Sequence, residues 1–197
     1  MKHALVIGGS GMLADACLWL ADQDYQVTVI GRNRAKLKRL ADRNPRIVPV
    51  SADYDQEEAF RSALHTSLVQ HGPWLMVVAW IHDQDKRVLS WVSEERTRLG
   101  NSPWKLFHVL GSRSNPDEME RDMANLAFCS YHQVQLGFVI EQDSSRWLTH
   151  SEISGGVIHA IQTGLKRHVA GTLTPWSMRP QENVRQNPIG ANLDPNE

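Results

Sequence analysis

The chain is predicted to be an α/β protein, a Rossmann-type doubly wound, mainly parallel sheet with helices on both faces. Three observations predict it. Short apolar runs alternate with segments of helical periodicity along most of the length. Most of those runs are apolar at successive positions, as strands buried on both faces require. The first of them ends in a cluster of glycines that opens a helix.

The elements follow in order. Ala4-Leu5-Val6-Ile7 is the first strand, and it stops at Gly8-Gly9-Ser10-Gly11. Apolar residues then return at helical spacing, at Met12, Leu13, Ala16, Leu20 and Ala21. Val27-Thr28-Val29-Ile30 is β-branched and bounded by Gly31, which marks a second strand. Residues 34–43 place Leu37, Leu40 and Ala41 on one face and bases on the other, an amphipathic helix. Ile47-Val48-Pro49-Val50 is a third strand, with a proline tolerable only near an end. Helices are expected over 57–70, 87–99 and 118–128, and strands over 75–79, 106–110 and 132–140. Thr149-His150-Ser151-Glu152 has capping-box spacing and opens a last helix through about residue 163.

Size and composition bound the function. A chain of 197 residues fits one domain with a real core, expected over 1–179. Residues 180–197 are rich in Pro, Asn and Gln and are expected to form a flexible tail. A formal net charge of −1 argues against broad nucleic-acid binding, which needs a basic face. The longest apolar run, 74–81, is too short to span a bilayer and reads as a buried strand, so no membrane partner is expected. Cys17 and Cys129 form no CxxC pair and read as small core residues of a reduced protein. With no targeting segment visible, a cytoplasmic location is expected.

Gly8-Gly9-Ser10-Gly11-Met12-Leu13-Ala14 matches G-x-x-G-x-x-[GA]. After a strand, such a turn must reverse tightly and let a pyrophosphate approach the backbone, and a small residue at Ala14 lets the helix pack on the sheet. Exposed N–H groups and the helix dipole hold the anion. No Gly-Lys-Ser/Thr follows, so this is not an NTP-hydrolysing loop. The bland alternative is a tight turn between packed elements. Gly8, Gly9, Ser10, Gly11, Met12 and Leu13 are the expected cofactor contacts.

After the second strand, NAD sites usually carry an acid for the ribose hydroxyls. This chain has Gly31-Arg32-Asn33-Arg34 instead. An Arg there binds a 2′-phosphate bidentately, so NADP is expected over NAD, with Arg32 as the principal contact and Asn33 and Arg34 beside it. Lys36, Lys38 and Arg39 read as a solvated helix face.

These residues resemble the short-chain dehydrogenase/reductase superfamily, on Ala4 to Ala14, the strand ending Gly31-Arg32, Asp53 after the third strand and Ser112 after the fifth. The likeness covers roughly residues 3–163. It implies that Asp53, beside Tyr54, binds the adenine amino group; a helix N-cap is the alternative for Asp53, and both roles are compatible. It also implies that Ala79 and Trp80 line the ribose and nicotinamide path. The chain departs from the superfamily at its Tyr-x-x-x-Lys pair: four residues after Tyr131 stands Gln135. Ala79-Trp80-Ile81-His82 replaces the Asn-Ala-Gly motif at the fourth strand, which makes this an atypical, shortened relative.

Carbonyl reduction needs a proton donor near the oxygen. The candidate catalytic residues are His82, Ser112 and Tyr131. His82 is a neutral-pH acid or a loop histidine, Ser112 an oxygen ligand or a turn residue, and Tyr131 a donor or a packing residue. Trp80, Trp91, Trp104, Trp147 and Trp176 are either an aromatic pocket or packing. No His/Asp/Glu cluster has metal-ligand spacing. Three readings follow: an NADP(H)-dependent oxidoreductase of a small carbonyl or alcohol, a sensor that binds the dinucleotide without turnover, and a scaffold that keeps the fold alone. The expected partners are the dinucleotide and an unknown small molecule.

Overall fold

The structure is a computed structural model that describes residues 1–82, 85–142 and 144–181. The elements run β1 (Lys2–Ile7), α1 (Ala14–Asp22), β2 (Tyr25–Gly31), α2 (Arg34–Ala41), β3 (Ile47–Ser51) and α3 (Glu57–His71). They continue β4 (Met76–Trp80), α4 (Arg87–Arg98), β5 (Trp104–Leu110), α5 (Pro116–Met123), β6 (Cys129–Leu136) and β7 (Phe138–Glu141). The chain then forms β8 (Ser144–Trp147), α6 (His150–Thr163), β9 (Arg167–Ala170) and a single 3₁₀ turn, Trp176–Met178.

Seven strands form one sheet in the order β3-β2-β1-β4-β5-β6-β9, and every pairing in it is parallel. This is the doubly wound Rossmann-type arrangement expected from the sequence. The strand order reverses between β1 and β4, so the crevice beyond their carboxyl ends is where such a sheet holds ligands. Alternate strand residues feed two cores. Val6, Val29, Val78 and Val109 pack under α1, α2 and α6, and Leu5, Ile7, Val77 and Leu106 under α3 and α4. Pro49 sits on β3, an edge strand, where a missing donor is tolerated.

Several boundaries differ from expectation. The single strand expected over 132–140 is two strands, broken at Gly137. A Cβ at Gly137 would lie 2.1 Å from the Thr172 carbonyl oxygen, so the chain crosses another segment there and turns out of the sheet. Beyond the break, β7 pairs antiparallel with β8 as a separate hairpin. The helix expected over 118–128 is α5, ending at Met123. It begins earlier because Asn115 accepts from the Asp117 and Glu118 amides with Pro116 at its first turn, and Phe128 takes a positive φ of 56°. The capping box of α6 forms as expected, with Thr149 and Glu152 exchanging side chain-to-backbone bonds. Most of the expected tail, from residue 182 on, lies outside the described residues.

A polar node crosses the amino-terminal edge of the sheet. His3 is buried, and its Nδ1–H donates to the Gly72 carbonyl (2.6 Å). Its Nε2 accepts from the Thr28 hydroxyl (2.9 Å), which in turn accepts from Ser67 (2.9 Å). Trp74 Nε1–H donates to Ser67 (3.3 Å). Burial holds the His3 pKa down to about 4, so the node is built around a neutral imidazole. Cys17 is buried and Cys129 half-buried, and both are free thiols. No described helix is long and apolar enough to cross a membrane. No group of three or more potential metal ligands occurs among the described residues.

Candidate active site

Two adjoining hollows open at the carboxyl end of the sheet. The first lies over β1 and β2 and is lined by the glycine turn, by Ile30 to Asn33, and by Tyr54, Trp80 and His82. Its floor is set by backbone geometry. Gly8 has φ +78°, and its amide donates to the Ile30 carbonyl (2.9 Å), so β1 ends in a reversal that an L side chain rarely adopts. Gly9 is packed inward: a Cβ there would meet Val29, Cys17 and Val6 within 2.7–2.9 Å. Gly11 is the opposite case, with nothing within 4 Å of where a Cβ would lie and its open side on the cleft. A cradle that a side chain would fill suits the oxygens of a pyrophosphate.

Electrostatics favour an anion here. Arg32 and Lys36 both line the cleft. They stand one helical turn apart, Arg32 before the Asn33 cap of α2 and Lys36 in its first turn, its amide donating to Asn33 Oδ1 (2.9 Å). Lys36 is exposed, as its sequence context suggested, and it also lines the cleft. Arg39, on α2, and Arg43, just beyond its end, line an adjoining groove that also touches Ser10 and Gly11. Lys38 is on the solvated face as expected, ion-paired with Asp42 (2.9 Å). Arg34, expected at the cofactor, does not line the cleft; it opens α2 two residues from both Arg32 and Lys36, and so on a different side of the helix.

The second hollow lies over β5 and β6. It has a volume of about 380 Å³ and shares Met12, Trp80 and His150 with the first. Leu136, Leu148 and Ile153 give it apolar walls, and Ser112 and Arg179 are polar. Arg179 Nε donates to Ser112 Oγ (3.2 Å), and its guanidinium lies 4.6 Å over the Trp147 ring and 5.3 Å over that of Trp176. His150, at the first position of α6, was hidden in the sequence inside the capping box. Ser154, one turn further on, accepts from the Ala16 amide (3.3 Å) and donates to the Met12 carbonyl (2.8 Å), which fixes the start of α6 against the glycine turn.

The structure brings together most, but not all, of the residues singled out from the sequence. Gly8, Ser10, Gly11, Met12, Arg32, Asn33, Tyr54, Trp80 and His82 line the first hollow, and Ser112 the second. The side chains of Leu13 and Ala79 are in the core, so any contact they make to a ligand is through backbone. Asp53 does not line the cleft, although its neighbours Ala52 and Tyr54 do. Nor does it cap α3, whose cap is Gln56; its carboxylate instead accepts from the Asp55 amide (3.2 Å) in the preceding turn. Tyr131 is outside both hollows. It stands opposite Leu106 in the sheet, its hydroxyl 2.9 Å from His108 Nδ1, and burial pushes its pKa up. Of the tryptophans, Trp91 and Trp104 are core, whereas Trp80 and Trp147 line the second hollow.

No protein-family model matches the chain, and no curated protein matches it. Solved structures share its fold. A short-chain dehydrogenase/reductase from Serratia marcescens superposes with a TM-score of 0.64 at 17% identity, over 86% of this chain and 97% of that one. A single-substitution variant of actinorhodin polyketide ketoreductase, solved with NADPH, gives a TM-score of 0.67 at 12% identity, over 87% of this chain and 95% of that one. A short chain dehydrogenase from Burkholderia cenocepacia in complex with NADP gives 0.63 at 14% identity, over 86% and 96%. The fold is that of the short-chain dehydrogenase/reductases.

Proposed function

We propose that this protein binds NADP(H) and uses it to reduce or oxidise a small carbonyl or alcohol. The observation that carries the reading is the glycine turn. At the switch point of the sheet, Gly8 makes the reversal and Gly11 leaves an open cradle, with Arg32 and Lys36 on the same cleft. Those two cations suit the 2′-phosphate of NADP better than the bare ribose of NAD. The structural neighbours solved with NADPH and NADP support the same choice.

Bound in this cleft, the dinucleotide would supply hydride chemistry through its nicotinamide. The chain's own residues orient and protonate. Gly8 to Met12 hold the pyrophosphate by backbone, and Tyr54 and the backbone around Asp53 border the adenine end. Ser112 offers a hydroxyl to a substrate oxygen. His82 lines the cleft and His150 lines both hollows, so two imidazoles stand where a proton is needed. Tyr131 is assigned to packing.

A specific observation favours a second reading, a dinucleotide sensor without turnover. The chain has no Tyr-x-x-x-Lys, since the residues four after Tyr25, Tyr54 and Tyr131 are Val29, Glu58 and Gln135. One experiment separates the readings. Calorimetric titration with NADPH and NADH is followed by NADPH oxidation over a panel of aldehydes, ketones and oxo acids. Tight NADPH binding with turnover supports the oxidoreductase, tight binding without turnover the sensor, and no binding of either dinucleotide defeats both.

A further inference from the structure

We infer that His159 and His168 form a two-imidazole site for a divalent transition-metal ion, of the Zn²⁺, Ni²⁺ and Cu²⁺ class, which clips the last helix to the last strand. The inference comes from where the fold puts the two rings. His159 is on α6 and His168 on β9, and residues 164–166 join the two elements. The ring centroids are 5.0 Å apart, with the planes inclined at 48°. When two imidazoles ligate one tetrahedral ion, each centroid lies about 3.2 Å from the metal and the two stand about 5.2 Å apart. The pair is therefore already at ligating separation.

Backbone packing holds it there. α6 lies tightly against β9 at Gly156, where a Cβ would stand 2.5 Å from that of Ala170. The same point is 3.8 Å from His168 Nε2, so that ring lies along the helix. His159 follows Gly156 by one turn on the same face of α6. Gly164, with φ +65°, ends the helix and turns the chain into β9. β9 is fixed in turn by parallel pairing with β6, His168 opposite Val134. Neither ring has to be brought in from a distance, so folding has already met the cost of closing the site.

Availability sets this pair apart from the other buried or paired histidines. His3 stands 5.4 Å from His71, but both its ring nitrogens are engaged, with Gly72 and Thr28. His132 is held by the Leu165 carbonyl and the Ser130 hydroxyl. Among the described residues, the rings of His159 and His168 make no hydrogen bond or ion pair. His159 is exposed and His168 half-buried, so an ion reaches them from solvent. No third protein ligand joins them among the described residues, and water fills the remaining positions. Two nitrogen donors select late first-row ions over Mg²⁺ and Ca²⁺, which prefer oxygen. An ion held here acts at a distance from both hollows, which take His150 and Ile153 from the first turn of the same helix.

The test is calorimetric titration of the full chain with Cu²⁺, Ni²⁺, Zn²⁺ and Mg²⁺ in turn, at about pH 7.5, where an ordinary imidazole is neutral. One ion should bind per chain, Cu²⁺ most tightly and Mg²⁺ not at all. Zn²⁺ should also raise the thermal midpoint, because the site exists only in the folded chain. His159→Ala and His168→Asn should each weaken Cu²⁺ and Zn²⁺ binding by about tenfold or more and remove the thermal shift. His159 is exposed, so its variant keeps the fold and carries the test if the other does not. Paramagnetic resonance of bound Cu²⁺ should show two nitrogen ligands in the unmodified protein and fewer in either variant. His65→Ala, on α3, should change none of these readings. The inference is overturned if the unmodified protein binds none of the three late ions, if His159→Ala keeps the affinity, or if His65→Ala costs as much as His159→Ala.

Discussion

The cleft over β1 and β2 draws most of its lining from two short stretches, residues 7–12 and 30–36, each the end of a strand and the start of a helix. The hollow over β5 and β6 draws on residues 80, 112, 136, 147 and 179, spread over half the chain. The first is made by backbone: an inverted φ at Gly8 and an empty position at Gly11. The second is made by side chains, with one guanidinium held by two indoles and a hydroxyl. A backbone cradle of this kind suits a ligand part common to many molecules, such as a pyrophosphate, whereas a side-chain chamber can be respecified residue by residue around it.

Substitutions at two glycines should have opposite effects on binding and stability. Gly11→Val should leave the fold intact, because its Cβ direction is open, yet lower NADPH affinity by a hundredfold or more, roughly 3 kcal/mol, by blocking the phosphates. Gly137→Ala should do the reverse. Its new methyl would meet the Thr172 carbonyl at 2.1 Å, and unfolding free energy should fall by about 3 kcal/mol or more. Urea unfolding and NADPH calorimetry on both variants check the pair. Equal effects on stability would show that the two regions are not built differently.

Acid should act on the fold, and through a region remote from both hollows. Folding lowers the pKa of His3 from 6.5 to about 4, so the unfolded chain binds the extra proton between those values. Stability is therefore full above about pH 6.5 and falls as pH drops toward 4, by about 3 kcal/mol in all. The decrease should be largely absent in His3→Gln, measured by urea unfolding against pH. A flat profile in the unmodified protein would remove the neutral imidazole from the account of the node.

Smaller effects separate the cofactor cleft from the rest. Arg32→Ala should weaken NADPH binding by about tenfold to a hundredfold and NADH binding little, with added salt narrowing the gap. Lys36→Ala should show the same selectivity at smaller size, since it shares the cleft. Equal dissociation constants for the two dinucleotides in the unmodified protein would end the NADP assignment. Smallest of all, Tyr131→Phe should cost about 1 kcal/mol of stability through the lost His108 bond and leave any turnover unchanged. Loss of turnover in that variant alone would return Tyr131 to the chemistry.

The first half of the molecule was legible because its signals are local. A strand, a glycine turn and a helix are consecutive in sequence, and so are Gly31, Arg32 and the Asn33 cap. Lys36 was missed although a signal existed: it lies in the first turn of α2, four residues after Arg32, and both line the cleft. The second half hides its signals. β8 is Ser-Ser-Arg-Trp and β9 Arg-His-Val-Ala, four residues each, too short and too polar for an alternation to register. His150 was absorbed into a capping motif that explains its neighbours. Arg179 sits beyond the last helix, where composition suggests a boundary and nothing in the local pattern points back to Ser112. Tyr131 reads as a donor or a packing residue at the start of its strand, and the pairing opposite Leu106, with its hydroxyl on His108, shows what it packs against.

The chain crossing at Gly137 has a consequence for anyone wishing to reshape the second hollow. The residues on either side of it, Leu136 and Phe138, belong to the sheet and to the hairpin, and the crossing holds those two bodies in contact with the Thr172 segment. Position 137 is thus a fixed pivot that a mutational library should leave untouched. Leu148 and Ile153, by contrast, hang from the hairpin exit and the first turns of α6, on the far wall of the chamber. Trimming either one should lengthen the chamber without moving the pivot, so the size of molecule it could admit becomes a design variable carried by two positions.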